Sequence, residues 1–164
     1  MALSLEQQNR MDELSAKVGH YLQRKGELLV TAESCTGGWI AQVVTAVPGS
    51  SAWFEGGLVT YSNEMKHSVL GVPESELELY GAVSQQVVES MVQGAVRIGK
   101  ANVSVAVSGV AGPGGGSKEK PVGCVWIGWG INGQVYSERH VYSGNREEVR
   151  YQTVIDALEG ILSR

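Results

Sequence analysis

The chain has 164 residues, 17.5 kDa, with 43% hydrophobic and 18% charged residues. That composition supports one self-sufficient core and excludes a disordered chain. A formal net charge of −4, without any run of Lys or Arg, excludes a sequence-independent nucleic-acid binder. The polar first ten residues and the lack of any stretch near the roughly 18 apolar residues of a membrane span predict a cytoplasmic location and no membrane partner.

Apolar positions Met11, Leu14, Val18 and Leu22 recur at intervals of three and four, predicting an amphipathic helix over Leu5 to Lys25 that ends near Gly26. Leu28 to Thr31 reads as a first strand, leading into Glu33-Ser34-Cys35-Thr36-Gly37-Gly38. Ile40, Val43, Val44 and Val47 repeat at helical spacing until Pro48-Gly49 stops the helix. Trp53 to Tyr61 reads as a strand in which Gly56-Gly57 marks a bulge or a close backbone approach. Ser62 or Asn63 can cap a short helix through Leu70. Ser84 to Lys100 carries Val87, Val88, Met91, Val92, Ala95 and Val96 on one face, a second amphipathic helix, followed by the apolar strand Val103 to Val107.

Beyond it comes a glycine-rich turn, Ser108 to Ser117, whose backbone N–H groups can approach an anion closely. Val122 to Trp129 and Gln134 to Tyr142 flank Asn132-Gly133, a hairpin signal that makes these two strands antiparallel. Asn145, with Glu148 three residues on, predicts a capping box on a last helix that buries Val149, Val154, Leu158 and Ile161. Helix and strand alternate and a hairpin closes the sheet, so the fold class is α/β with a mixed sheet, one domain over residues 1–164. Ligands of such folds sit beyond the carboxyl ends of the strands, where both Glu33 to Gly38 and Ser108 to Ser117 lie.

Cys35 and Cys124 are too few for a zinc cluster, and His20, His67 and His140 lack ligand spacing, so neither metal nor cofactor is expected. The rim Glu33 to Gly38 admits two readings: an anion site at a helix N-terminus, or an ordinary Ser/Thr cap with glycines for tight packing. Lys66, on a short helix after a strand carrying Tyr61, is either a solvated surface residue or a desolvated base for a serine on the preceding loop. Arg146 and Arg150 share one helix face and either grip a phosphate or carboxylate or pair with a surface acid such as Glu147. Cys35, Glu33 and Lys66 also supply the residue types of a Cys-Glu-Lys amide hydrolase, against the plainer reading of Cys35 as a buried structural thiol.

Taken together, Thr31-Ala32-Glu33-Ser34-Cys35-Thr36-Gly37-Gly38, Pro48-Gly49-Ser50-Ser51, Tyr61-Ser62-Asn63 with Lys66, Gly81-Ala82-Val83-Ser84, Ser108-Gly109-Val110-Ala111-Gly112-Pro113 and Lys120-Pro121-Val122-Gly123 resemble the CinA C-terminal domain family, from about Val18 to Leu162. The resemblance implies a three-layer α/β/α sandwich. Stand-alone members are nicotinamide-nucleotide amidohydrolases, so it also implies hydrolysis of nicotinamide mononucleotide to nicotinate mononucleotide and ammonia in NAD salvage, without the further activity of longer two-domain relatives. Carried over by position, it makes Ser51 (or Ser50) the nucleophile, Lys66 its base and Tyr61 an aid to proton transfer or orientation. Glu33, Ser34, Thr36, Gly37 and Gly38 on one rim, and Ser108, Gly109, Gly112 and Gly115 on the other, would hold the substrate, with positive charge from Arg146 and Arg150. Cys124 stands where the family pattern has threonine, a change expected to touch packing only. A homodimer is the expected assembly. The alternative from another class is a non-catalytic nucleotide-binding module linked to competence or stress responses.

Overall fold

Residues 2–164 are described by a computed structural model. Ser4 caps α1 (Leu5–Lys25) through a reciprocal capping box with Gln7, and Gly26 ends it in the left-handed conformation. Met11, Leu14, Val18 and Leu22 are all buried, as their spacing requires. Val18 and Leu22 have no exposed surface, and full burial of such side chains is worth about 1.5–3 kcal/mol each.

The chain then enters β1 (Leu29–Glu33), crosses through α2 (Trp39–Thr45) and a single 3-10 turn (Ser50–Ala52), and returns in β2 (Phe54–Val59) parallel to β1. Leu29 pairs with Phe54 but Val30 with Gly56, so Glu55 is the extra residue of a bulge. Just beyond it, a Cβ on Gly57 would meet Thr31 Oγ1 at 2.7 Å. The glycine pair therefore marks both a bulge and a close approach.

Ser62 caps α3 (Asn63–Leu70) by accepting from the Met65 N–H. A short helix, α4 (Glu74–Tyr80), follows that the periodicity does not announce. It has no fully buried residue and docks on α5 (Gln85–Gly99) by a 2.6 Å bond from Ser90 Oγ to Glu76. β3 (Val103–Gly109) leads to the hairpin of β4 (Cys124–Ile131) and β5 (Gln134–Val141). Asn132 and Gly133 between them both have positive φ, 47° and 88°, as a tight primed turn requires. The Asn145–Glu148 capping box opens α6 (Arg146–Leu162).

The sheet order is β2-β1-β3-β4-β5, with β1, β2 and β3 mutually parallel and β4 and β5 antiparallel. Alternate strand residues feed two cores. Leu29, Val103, Val105 and Val107 pack with α1, α2 and α6, whereas Val30, Ala32 and Ala106 pack with α3 and α5. This is the expected three-layer α/β/α arrangement, and Cys124 is fully buried in it. The crossovers from β1 to β2 and from β2 to β3 land on opposite sides of β1. That reversal opens a crevice above the carboxyl ends of β1 and β3.

Candidate active site

Ser34 follows directly on β1, and its N–H donates to the Val107 carbonyl of β3 at 3.2 Å. The residue is thereby held in the crevice between the two strand ends. On the other side, Thr60 continues β2 with an N–H bond to the Glu33 carbonyl (2.9 Å), and the Ser62 cap turns the chain back into α3. One turn into that helix stands Lys66, only 1% exposed.

Lys66 Nζ lies 2.9 Å from each of three oxygens: Ser34 Oγ, the Thr60 carbonyl and the Tyr61 carbonyl. As an ammonium it donates to all three. Burial disfavours the charge and pushes its pKa down from 10.5 to about 8. In the neutral amine the two carbonyls still take two N–H bonds, which leaves the nitrogen lone pair facing the one partner able to donate, the Ser34 hydroxyl. The arrangement is a serine with a desolvated base.

Around this pair is a cleft of about 250 Å³ lined by Ser34, Cys35, Tyr61, Asn63, Lys66, Ala82, Val83, Ser108, Gly109, Ala111 and Arg146. Ser108 Oγ donates to the Ala82 carbonyl at 2.8 Å, which fixes the Ala82–Val83 wall against β3. Tyr61 stands at the mouth, 64% exposed. Arg146 donates to the Gly112 carbonyl at 2.7 Å and is the cation of the cleft besides Lys66. Asn63, Ala82 and Val83 also line the cleft without having been expected as site residues; the motifs Tyr61-Ser62-Asn63 and Gly81-Ala82-Val83-Ser84 carry the available signal for them.

Several expected roles need correction. Ser51, with Ser50, lies on the 3-10 turn before β2, at the amino end of the sheet. The six residues of β2 separate it from the Lys66 ammonium, a run of roughly 20 Å at strand rise. Lys66 cannot act on it. Glu33 is fully buried and holds no ligand: its carboxylate accepts from Thr36 Oγ1 (2.7 Å) and from the Ile40 and Ala41 N–H groups (2.8 and 3.0 Å). The donors at the start of α2 are thus satisfied by the chain's own carboxylate, which removes the anion site expected there. Thr36 serves that carboxylate, and Gly37 and Gly38 border a separate depression with Trp39, Gln42, Glu147 and Arg150.

Arg150 donates to the Cys35 and Thr36 carbonyls rather than into the cleft. Gly112 contributes its carbonyl to Arg146, while Gly112 and Gly115 do not line the cleft. Burial pushes the Cys35 thiol up to about 12, which favours the protonated thiol over a thiolate nucleophile. Among the described residues no group of three His, Cys, Asp or Glu could hold a metal ion, and no helix is long and apolar enough to cross a membrane.

Comparison with known proteins places these features in context. The model of the CinA C-terminal domain matches residues 11–164. A protein of Pseudomonas putida named nicotinamide-nucleotide amidohydrolase PncC is 58% identical over 149 residues, 91% of this chain and 93% of that one. Its namesake in Escherichia coli K12 is 49% identical over 148 residues, 90% of each chain. The crystal structure of the competence/damage inducible protein CihA from Agrobacterium tumefaciens superposes with a TM-score of 0.92 at 42% identity, covering 99% of this chain and 98% of that one. The chain belongs to the CinA C-terminal domain family.

Proposed function

We propose that this chain is a nicotinamide-nucleotide amidohydrolase in which Ser34 is the nucleophile and Lys66 its base. The observation that carries the reading is the fully buried Lys66 amine, 2.9 Å from Ser34 Oγ and oriented by two carbonyls. The names of relatives at 49% and 58% identity supply the substrate.

Neutral Lys66 takes the Ser34 proton as Oγ attacks the carboxamide carbon, a role worth about 10²–10⁴ in rate. The oxyanion forms where the Ser34–Cys35 turn faces Ala111, whose backbone N–H is an available donor, the neighbouring Val110 N–H being bonded to the Cys124 carbonyl. The Lys66 ammonium then returns the proton to the amide nitrogen, ammonia leaves, and a nicotinoyl ester remains on Ser34. In the second half Lys66 takes a proton from water, hydroxide attacks the ester, and Ser34 leaves reprotonated with nicotinate mononucleotide as product. No step consumes a redox equivalent.

The Tyr61 ring at the mouth suits a cationic pyridinium, which an aromatic face attracts. Arg146, with donors left beyond its bond to Gly112, faces the phosphate end of the substrate. Incubation of the purified protein with nicotinamide mononucleotide should release ammonia and nicotinate mononucleotide in equal amounts. Binding without turnover by the folded protein would instead favour a nucleotide-binding module.

A further inference from the structure

The first two turns of α6 touch both loops of the site through arginines four residues apart. Arg146 reaches the Gly112 carbonyl from within the cleft. Arg150 lies outside it: Nε donates to the Cys35 carbonyl and Nη2 to the Thr36 carbonyl, each at 3.0 Å, while the guanidinium sits 5.3 Å over the Trp39 ring. The Cys35 carbonyl belongs to the Cys35–Thr36 peptide and the Thr36 carbonyl to the next one, so the fork pins two successive peptide units in a way a point charge does not. The first of them begins one residue after Ser34. Ser34 itself is tied to β3 through its N–H bond to the Val107 carbonyl and to Lys66 through its Oγ; the turn after it has otherwise local ties, from Gly37 N–H to the Ser34 carbonyl, from Trp39 N–H to the Thr36 carbonyl and from Thr36 Oγ1 to Glu33.

We propose that Arg150 is a positioning residue, which locks the backbone segment carrying the Cys35 and Thr36 carbonyls to α6 so that Ser34 Oγ stays within reach of Lys66, and that it is not a substrate ligand. The proposal rests on Ser34 being the nucleophile. A residue that binds substrate would aim free donors into the cleft, whereas Arg150 gives its fork to main-chain carbonyls on the far side of the nucleophile turn. A displacement of the nucleophile by about 1 Å is enough to cost on the order of 100-fold in rate.

The test compares Arg150→Met, which removes both the charge and the fork, with Arg150→Lys, which keeps the charge without the fork. Arg10→Met, which removes an exposed ion pair to Glu159 on the same helix, is the control. With circular dichroism confirming the fold, Arg150→Met should lower kcat on the order of 100-fold at unchanged KM. Arg150→Lys should recover part of that loss, and Arg10→Met should match the parent. Hydrogen exchange should quicken at residues 34–38 in Arg150→Met and stay the same at residues 108–115. A raised KM with intact kcat would make Arg150 a substrate ligand and overturn the proposal, as would unchanged kcat together with unchanged exchange. If Arg150→Met does not fold, Arg150→Lys carries the same division between kcat and KM. A parent protein that does not turn over the mononucleotide would refute the proposed function, while the exchange comparison would still judge the lock.

Discussion

The two ends of the parallel strands each present a serine, Ser51 at the amino end and Ser34 at the carboxyl end, and only one of them is equipped for chemistry. At the amino end, Ser51 sits exposed on a single 3-10 turn behind the left-handed Gly49, with no side-chain hydrogen bond. At the carboxyl end, Ser34 is nearly buried, tied to β3 through its N–H, and faces an amine that burial has stripped of water. The difference is the base, not the serine. A lysine becomes a useful base when a helix folds it back over a strand end whose carbonyls orient it, as the Thr60 and Tyr61 carbonyls just beyond β2 orient Lys66 beside Ser34 at the end of β1.

Replacing the base should give the largest effect that separates the two ends. Lys66→Met should lower kcat by about 10²–10⁴, read from ammonia release. A methionine of similar length fills the same space without a charge to desolvate, while the Thr60 and Tyr61 carbonyls lose their donor. Next comes the support beneath the active end. Glu33→Ala removes a buried acceptor from Thr36 Oγ1 and two amide N–H groups, and leaving those donors unpaired should cost about 3–5 kcal/mol. For a domain of this size that is a fall of about 10 °C or more in Tm by calorimetry. An unchanged Tm would mean that this turn is not held from within.

A smaller effect should appear with pH. The folded-state pKa of Lys66 is lowered to about 8, so the unfolded chain binds the extra proton between that value and the ordinary 10.5. Stability from this group therefore rises as pH climbs through that window and is at its poorest below about 8. Activity should follow the same deprotonation, with kcat/KM rising to a plateau above about pH 8. Lys66→Met should remove this contribution to the stability slope, and a parent activity profile flat between pH 6 and 9 would contradict the role of the amine as base.

Much of the fold was legible because its signals are local. The periodic faces of α1, α5 and α6, the apolar runs of β1 and β3, and the Asn132-Gly133 turn all declare themselves within a few residues. The helix α4 did not, because Glu74–Tyr80 is short and buries no residue fully. The site was legible as residue types and as two rims, yet its pairing was not. Lys66 is nearer in sequence to Ser51 than to Ser34, and strand direction alone reverses that order in space. Glu33 also misled, since a buried carboxylate that completes its own helix start has the same local sequence as a rim awaiting an anion. Nor could spacing show that Arg146 and Arg150, on one helix face, serve different loops.

The claim that the carboxyl end alone is catalytic is tested most directly by assaying Ser34→Ala beside Ser51→Ala under identical conditions. Ser34→Ala should retain its fold and bind nicotinamide mononucleotide with no measurable release of ammonia. Ser51→Ala should keep the activity of the parent, with a stability change within about 0.5 kcal/mol, as for an exposed position. Activity kept in Ser34→Ala and lost in Ser51→Ala would contradict the account.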